Sequence, residues 1–198
     1  MRPIDVDLVE TDSTFLISGP PGSGRSTALA AVVSSLSGRV TGALPVLLCC
    51  PRRSPLADLA DLPGVVAAMQ GPLCEMELDE MITGIHGPFA MVVDDAERLS
   101  EGKAAEVLDR IVRTARDDGN VVIAAGTTDD LAVHRYRGWL ASMRRARAGL
   151  LLNPASYVDG EVLDVKLPRS TGGGWPTGRA LLIRRGRSIA VQVPRMKD

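Results

Sequence analysis

The stretch that decides the fold is Gly19–Thr27, "GPPGSGRST". It has the spacing of a phosphate-binding loop, G-x-x-x-x-G-K-[ST], with Arg25 where that pattern carries lysine. Glycine-rich turns of this kind let successive backbone N–H groups converge on one phosphate. A helix that starts at the same point adds the positive end of its dipole. The flanking residues supply that context: "STFLISG" (13–19) reads as a buried strand, and "STALAAVVSSLSG" (26–38) as a helix whose small residues suit close packing on a sheet. On this reading Pro21, Gly22, Ser23, Gly24, Arg25, Ser26 and Thr27 form a cradle for nucleotide phosphates, and Ser26 offers a hydroxyl to Mg²⁺. A Gly/Pro turn without a ligand is the bland alternative, and the strand before and helix after weigh against it.

Arg25 is the departure. Lysine presents a compact charge on a flexible stem, whereas arginine presents a larger planar fork. Arg25 can still neutralise a phosphate, even in a bidentate way, but suits the space between outer phosphates less well. Binding should therefore survive better than hydrolysis. The chain also has only three lysines against twenty arginines, a bias that GC-rich codons would produce and that makes the exchange less surprising as drift.

Further along, "LPVLLCCP" (44–51), "FAMVVDD" (89–95), "VVIAAG" (121–126) and "GLLLNP" (149–154) read as buried strands, and "VVAAMQG" (65–71) as an edge strand. "SPLADLADLPG" reads as a short helix or turn, and "EMELDEMITG" (75–84) as a helix closed by glycine. Residues 101–120 form an amphipathic helix with Leu108, Ile111, Val112 and Ala115 on one face, and an arginine-rich helix is expected over roughly 129–147. "RALLIRRGRSIAVQV" (179–193) reads as a hairpin turning near Arg185–Arg187, and "STGGGWP" (170–176) as a surface loop. The strand–helix alternation predicts an α/β fold with a mostly parallel central sheet, flanking helices and a C-terminal β-hairpin.

The strand "FAMVVDD" ends in two carboxylates, the form of a Walker B strand. Asp94 is placed to hold Mg²⁺, and Asp95 occupies the position that usually polarises an attacking water, where glutamate is the commoner residue. Paired aspartates at a strand end also serve as helix caps. Coupled to the phosphate loop, the metal role is favoured. "VVIAAGTT" fits the strand that, in the additional-strand class of P-loop proteins, inserts between the other two. Thr127 or Thr128 at its tip would sense an outer phosphate, although Thr-Thr-Asp-Asp is equally a helix N-cap.

Length and composition bound the rest. With 198 residues, 45% hydrophobic and 24% charged, the chain suits one folded domain over residues 1–198, with no visible boundary. A formal net charge of −1 is no global trap for nucleic acid or anionic lipid. Cys49, Cys50 and Cys74 show neither metal-ligand nor disulfide spacing and read as reduced thiols. No apolar run is long enough to span a bilayer, so membrane insertion by this segment is not expected. His86 and His134 stand apart, with no metal or triad pattern around either. Arg135, Arg137, Arg144, Arg145 and Arg147 fall within thirteen residues. They read as a solvated helix face, as a finger offered to a neighbouring subunit's nucleotide, or as contacts to a nucleic-acid backbone. The neutral total and six aromatics weigh against the last.

Taken together, "FLISGPPGSGRSTAL", "FAMVVDDAERL", "VVIAAGTTDDL", "YRGWLASMRRARAGLLLNP" and "GRALLIRRGRSIAVQVP" occur in the order seen in the FtsK/SpoIIIE ATPases. The chain resembles that family, and within it the EccC-type ATPases of type VII (ESX) secretion, from about Val6 to Pro194. It looks most like the C-terminal member of a tandem array, so an excised piece of a multi-ATPase chain is expected. The resemblance implies a RecA-like fold, ATP and Mg²⁺ as ligands, and ring assembly. It carries phosphate-loop roles onto Gly22, Gly24, Arg25, Ser26 and Thr27, and the acidic pair onto Asp94 and Asp95, with Asp95, Arg25 and Thr127 as the catalytic set. The departures at Arg25 and Asp95 match distal domains of such arrays, which hold ATP with slow turnover and dock secreted helical-hairpin substrates. The implied partners are neighbouring ATPase domains of the same chain or ring, in the cytoplasm or tethered to the inner membrane through the rest of the parent protein. Nucleic acid is not expected, since nothing supplies a DNA-reading domain. A DNA-translocating motor and a nucleotide-independent interaction module are the alternatives.

Overall fold

A computed structural model of the chain describes residues 4–38, 43–168 and 175–194. Eight strands form one sheet in the order β3-β2-β4-β5-β1-β6-β7-β8. They are β1 (Thr14–Gly19), β2 (Val46–Cys50), β3 (Val65–Gln70), β4 (Ala90–Val93), β5 (Val121–Thr127), β6 (Gly149–Leu152), β7 (Arg179–Arg184) and β8 (Arg187–Gln192). All pairings from β3 to β6 are parallel, and β7 and β8 close the other end as an antiparallel hairpin. Arg185 and Gly186 make its two-residue turn, both at positive φ (49° and 76°), which matches the right-handed twist of the flanking strands.

The apolar runs in the sequence have a direct cause. Every residue of β1, β2, β4 and β6 is buried, because helices or turns cover both faces of the central sheet. Alternate residues then join separate cores. Phe15 and Ile17 pack with α1 (Arg25–Ser37), whereas Leu16 points to the opposite face with α2 (Glu75–Thr83), α3 (Lys103–Thr114) and α5 (Gly138–Ala146). On α3 the buried stripe includes Val107, Leu108, Ile111 and Val112, and burying such a side chain contributes about 1.5–3 kcal/mol.

Two helices differ from the sequence expectation. The amphipathic helix expected over 101–120 ends at Thr114 and continues to Gly119 as turns. Asp117 and Asp118 place negative charge at the negative end of the helix dipole, which disfavours extension there. The arginine-rich helix expected over 129–147 is two helices, α4 (Thr128–His134) and α5. Arg137 is extended and Gly138 sits at φ 59°, a turn that glycine makes without steric cost. Trp139, fully buried, then fixes the direction of α5 by donating its indole N–H to the Leu99 carbonyl (2.7 Å). The surface loop expected at 170–176 lies outside the described residues except at Trp175 and Pro176.

On the α1 side, beyond that helix, the sheet face of β6, β7 and β8 borders an open groove of about 930 Å³. Val32 and Leu36 of α1, Leu150, Leu182 and Val193 line it, together with the segment 4–10. Among the described residues no helix is long and apolar enough to cross a membrane.

Candidate nucleotide site

The inserted strand brings the loop and the acids together. β5 lies between β4 and β1, so the C-terminal ends of β1, β5 and β4 stand side by side. In open α/β sheets that edge is where ligands bind. Gly19–Thr27 leaves the end of β1, Asp94 and Asp95 follow β4, and Thr127 closes β5.

The loop turns through Gly22 (φ 75°) and Gly24 (φ 98°), the latter at the N-cap of α1. A side chain on Gly24 would be strained at that φ. No side chain caps α1, and its first intrahelical bond from the cap runs from Ala28 N–H to Gly24 O (2.8 Å). The amides of Arg25, Ser26 and Thr27 precede that bond and belong to the unsatisfied first turn of the helix. The Ser23 hydroxyl is buried in the same loop, without a hydrogen-bond partner among the described residues.

Asp94, almost fully buried, is the hub of the acidic side. Its Oδ2 accepts from the hydroxyls of Ser26 (2.8 Å) and Ser54 (2.6 Å), and its Oδ1 from the Asp95 N–H (3.1 Å). Ser54 also caps the 3-10 turn Pro55–Leu59 by accepting from the Leu56 N–H, so one hydroxyl fixes both the turn and the carboxylate. Cys50 lies nearby, and burial, with Asp94 adding to it, pushes its thiol up to about 11.

Asp95 is held in the left-handed region at φ 47°, and its side chain makes no capping bond to the turn Ala96–Leu99 that follows. Its carboxylate instead sits between two guanidinium groups, Arg25 and Arg52, each at 3.8 Å. Arg25 folds back over the strand ends: Nη1 donates to the Gly19 carbonyl (3.1 Å) and to Thr127 Oγ1 (2.5 Å). Thr127 occupies the N-cap position of α4 without a side-chain cap bond, and its own proton goes to Glu97 Oε1 (3.3 Å). Thr128 turns away to pair with Ser18 (2.9 Å). Burial raises the Glu97 carboxyl above the usual glutamate range, with Asp95 adding to the effect while Arg25 and nearby amides oppose it.

The geometry therefore joins Arg25, Ser26, Asp94, Asp95 and Thr127. Arg52, Ser54 and Glu97 belong to the same group and were not singled out in the sequence. Ser54 carried a signal, since serine before proline is a helix-start pattern. Arg52 sits on irregular backbone and Glu97 in the single 3-10 turn Ala96–Leu99, too short to show a periodicity that would expose it. The arginine run is elsewhere: Arg135 pairs with Glu161 (3.3 Å), Arg144 with Asp164 (2.6 Å), and Arg147 donates to Asp164 through Nε (2.8 Å). Arg137 and Arg145 are exposed.

The donor set fits a nucleotide with a divalent ion. Among the described residues no three or more His, Cys, Asp or Glu side chains are grouped to hold a metal unaided. Mg²⁺ commonly binds with one or two protein oxygens, completed by phosphate and water, and the Ser26–Asp94 pair is of that kind.

No protein-family model and no curated protein matches the chain. Solved structures do, and what they share with this chain is the fold: a mostly parallel sheet with flanking helices, in the RecA-like arrangement. In particular, the cytoplasmic domain of the type VII secretion ATPase EccC from Thermomonospora curvata matches with TM-score 0.77 at 20% identity, covering 100% of this chain and 25% of that one. The cytoplasmic domain of EssC matches with TM-score 0.77 at 16% identity, covering 99% and 42%. ATPases 2 and 3 of Thermomonospora curvata EccC, in complex with a signal sequence peptide, match with TM-score 0.74 at 19% identity, covering 100% and 39%. At these identities the likeness establishes the fold, and this chain spans less than half the length of each of those chains.

Proposed function

We propose that the chain is an ATP-binding domain of a type VII secretion ATPase, with weak hydrolysis and a role in docking secreted substrates. The observation that carries the nucleotide reading is the 2.8 Å bond from Ser26 to Asp94, beneath uncapped amides and a left-handed Gly24. In this reading the amides from Gly22 to Thr27 hold phosphate, and Ser26 and Asp94 hold Mg²⁺, which would shield phosphate charge. Arg25 neutralises phosphate but starts from a position tied to Gly19, Thr127 and Asp95. Asp95, placed between two cations, is poorly disposed to polarise a water, which supports slow turnover.

Docking is supported by the apolar groove beside α1 and by the peptide complex of the related EccC. Val32→Glu would place a charge in that groove and should abolish peptide capture without changing ATP affinity. The nucleotide content of the purified protein, measured after denaturation, tests hydrolysis. Retained ATP is expected. Retained ADP, with steady turnover abolished by Asp95→Ala, would identify a competent motor instead.

A further inference from the structure

Glu97 has no part in the reading so far, yet it is the best-placed carboxylate behind the site. It is partly buried, and its Oε2 has no hydrogen-bond partner among the described residues. That oxygen packs against Gly126, where a Cβ would collide with it and with Leu131. Its other oxygen takes the only proton Thr127 has. A hydroxyl has one proton and two lone pairs. With the proton directed to Glu97, Thr127 faces the phosphate loop as an acceptor, and Arg25 Nη1 donates to it at 2.5 Å. A threonine that senses an outer phosphate must do the opposite and donate.

We propose that Glu97 is a positioning residue that sets the polarity of Thr127. It makes Thr127 an anchor for Arg25 rather than a donor to phosphate, and so reduces the site's preference for ATP over ADP. The proposal rests on the nucleotide-binding reading above. Its structural half, the Arg25–Thr127–Glu97 relay, rests on hydrogen bonds within the chain alone.

Two measurements test it. In the nucleotide-free protein, urea midpoints are compared for Glu97→Leu, Thr127→Val and the double variant. If the relay exists, the double variant is no less stable than the worse single variant, because either change removes the same bond. Strict additivity overturns the relay. Second, affinities for ADP and ATP are compared in Mg²⁺. Glu97→Leu releases the Thr127 proton and should shift the preference toward ATP by about tenfold, the scale of one hydrogen bond to a charged group. Glu97→Gln should keep the native ratio, because its carbonyl oxygen accepts the same proton. In the Thr127→Val background, Glu97→Leu should change the ratio no further. A ratio unmoved in Glu97→Leu, or moved equally in Glu97→Gln, overturns the specificity role. If the wild type binds neither nucleotide, the functional reading fails and the specificity role falls with it, while the urea cycle still judges the relay.

Discussion

Two of the places where arginine meets carboxylate in this molecule, around Asp164 and around Asp95, are built differently. Around Asp164 the fit is close: Arg144 and Arg147 donate to it directly, and Arg144 also reaches the Glu161 carbonyl. The hydrogen bond from Arg147, helped by both positive charges, holds the Asp164 carboxyl below the usual aspartate range. At the ends of β1, β4 and β5 the pairs on Asp95 are looser, at 3.8 Å, and Glu97 is pushed in the opposite direction. The first group is saturated, so its arginines are committed to holding the turn Tyr157–Leu163 against α5. The second retains unmet bonding capacity, at the Ser23 hydroxyl and Glu97 Oε2, beside charged groups at the C-terminal edge of the sheet, a combination that marks a candidate functional site.

The largest expected break in that comparison comes from Asp94→Asn. The amide preserves much of the shape but removes the charge, so the Mg²⁺-dependent part of ATP affinity should fall about 10- to 100-fold by calorimetry, or about 1.4–2.8 kcal/mol. Arg25→Lys is expected to do less. Affinity should stay within about threefold of wild type or rise, and turnover should change little while Asp95 remains. A large gain in turnover from this change alone would place the defect on Arg25.

The two groups should also tilt stability against pH in opposite senses. The Glu97 carboxyl keeps its proton to higher pH when folded than when unfolded. Its contribution is therefore full below the ordinary glutamate range and is lost as pH rises through the folded value. Asp164 is the reverse: its contribution is present above the ordinary aspartate range and is lost as pH falls through the folded value. In urea titrations at several pH values, the stability of wild type relative to Glu97→Gln should decline as pH rises, and relative to Asp164→Asn it should grow. The smallest effect is expected at neutral pH from Asp164→Asn, a partly exposed site. The loss there should be less than about 1 kcal/mol, with ATP affinity unchanged.

Much of the fold was legible because buried parallel strands leave continuous apolar runs, and because the loop at Gly19–Thr27 needs a strand before it and a helix after it. The place of β5 between β4 and β1 came from the likeness to the additional-strand class of P-loop proteins, since apolar runs alone carry no strand order. The split at Gly138 was harder to see. Arginine and alanine favour helix locally, and only the long-range burial of Trp139 against Leu99 makes the break necessary. At the site, the residues at regular strand ends were readable, whereas Arg52 and Glu97 were not. Both are placed by turns whose shape depends on tertiary contacts, so nothing in their local spacing announces them.

The central claim is that this edge of the sheet binds Mg·ATP through the loop and the Ser26–Asp94 pair. Isothermal titration of Mg·ATP into the wild-type protein and into Ser26→Ala tests it most directly. Saturable one-to-one binding by the wild type, weakened about tenfold or more in the variant and insensitive to it when Mg²⁺ is withheld, is the predicted result. Absence of binding by a folded wild-type protein, or equal affinity in both proteins with Mg²⁺ present, would contradict it.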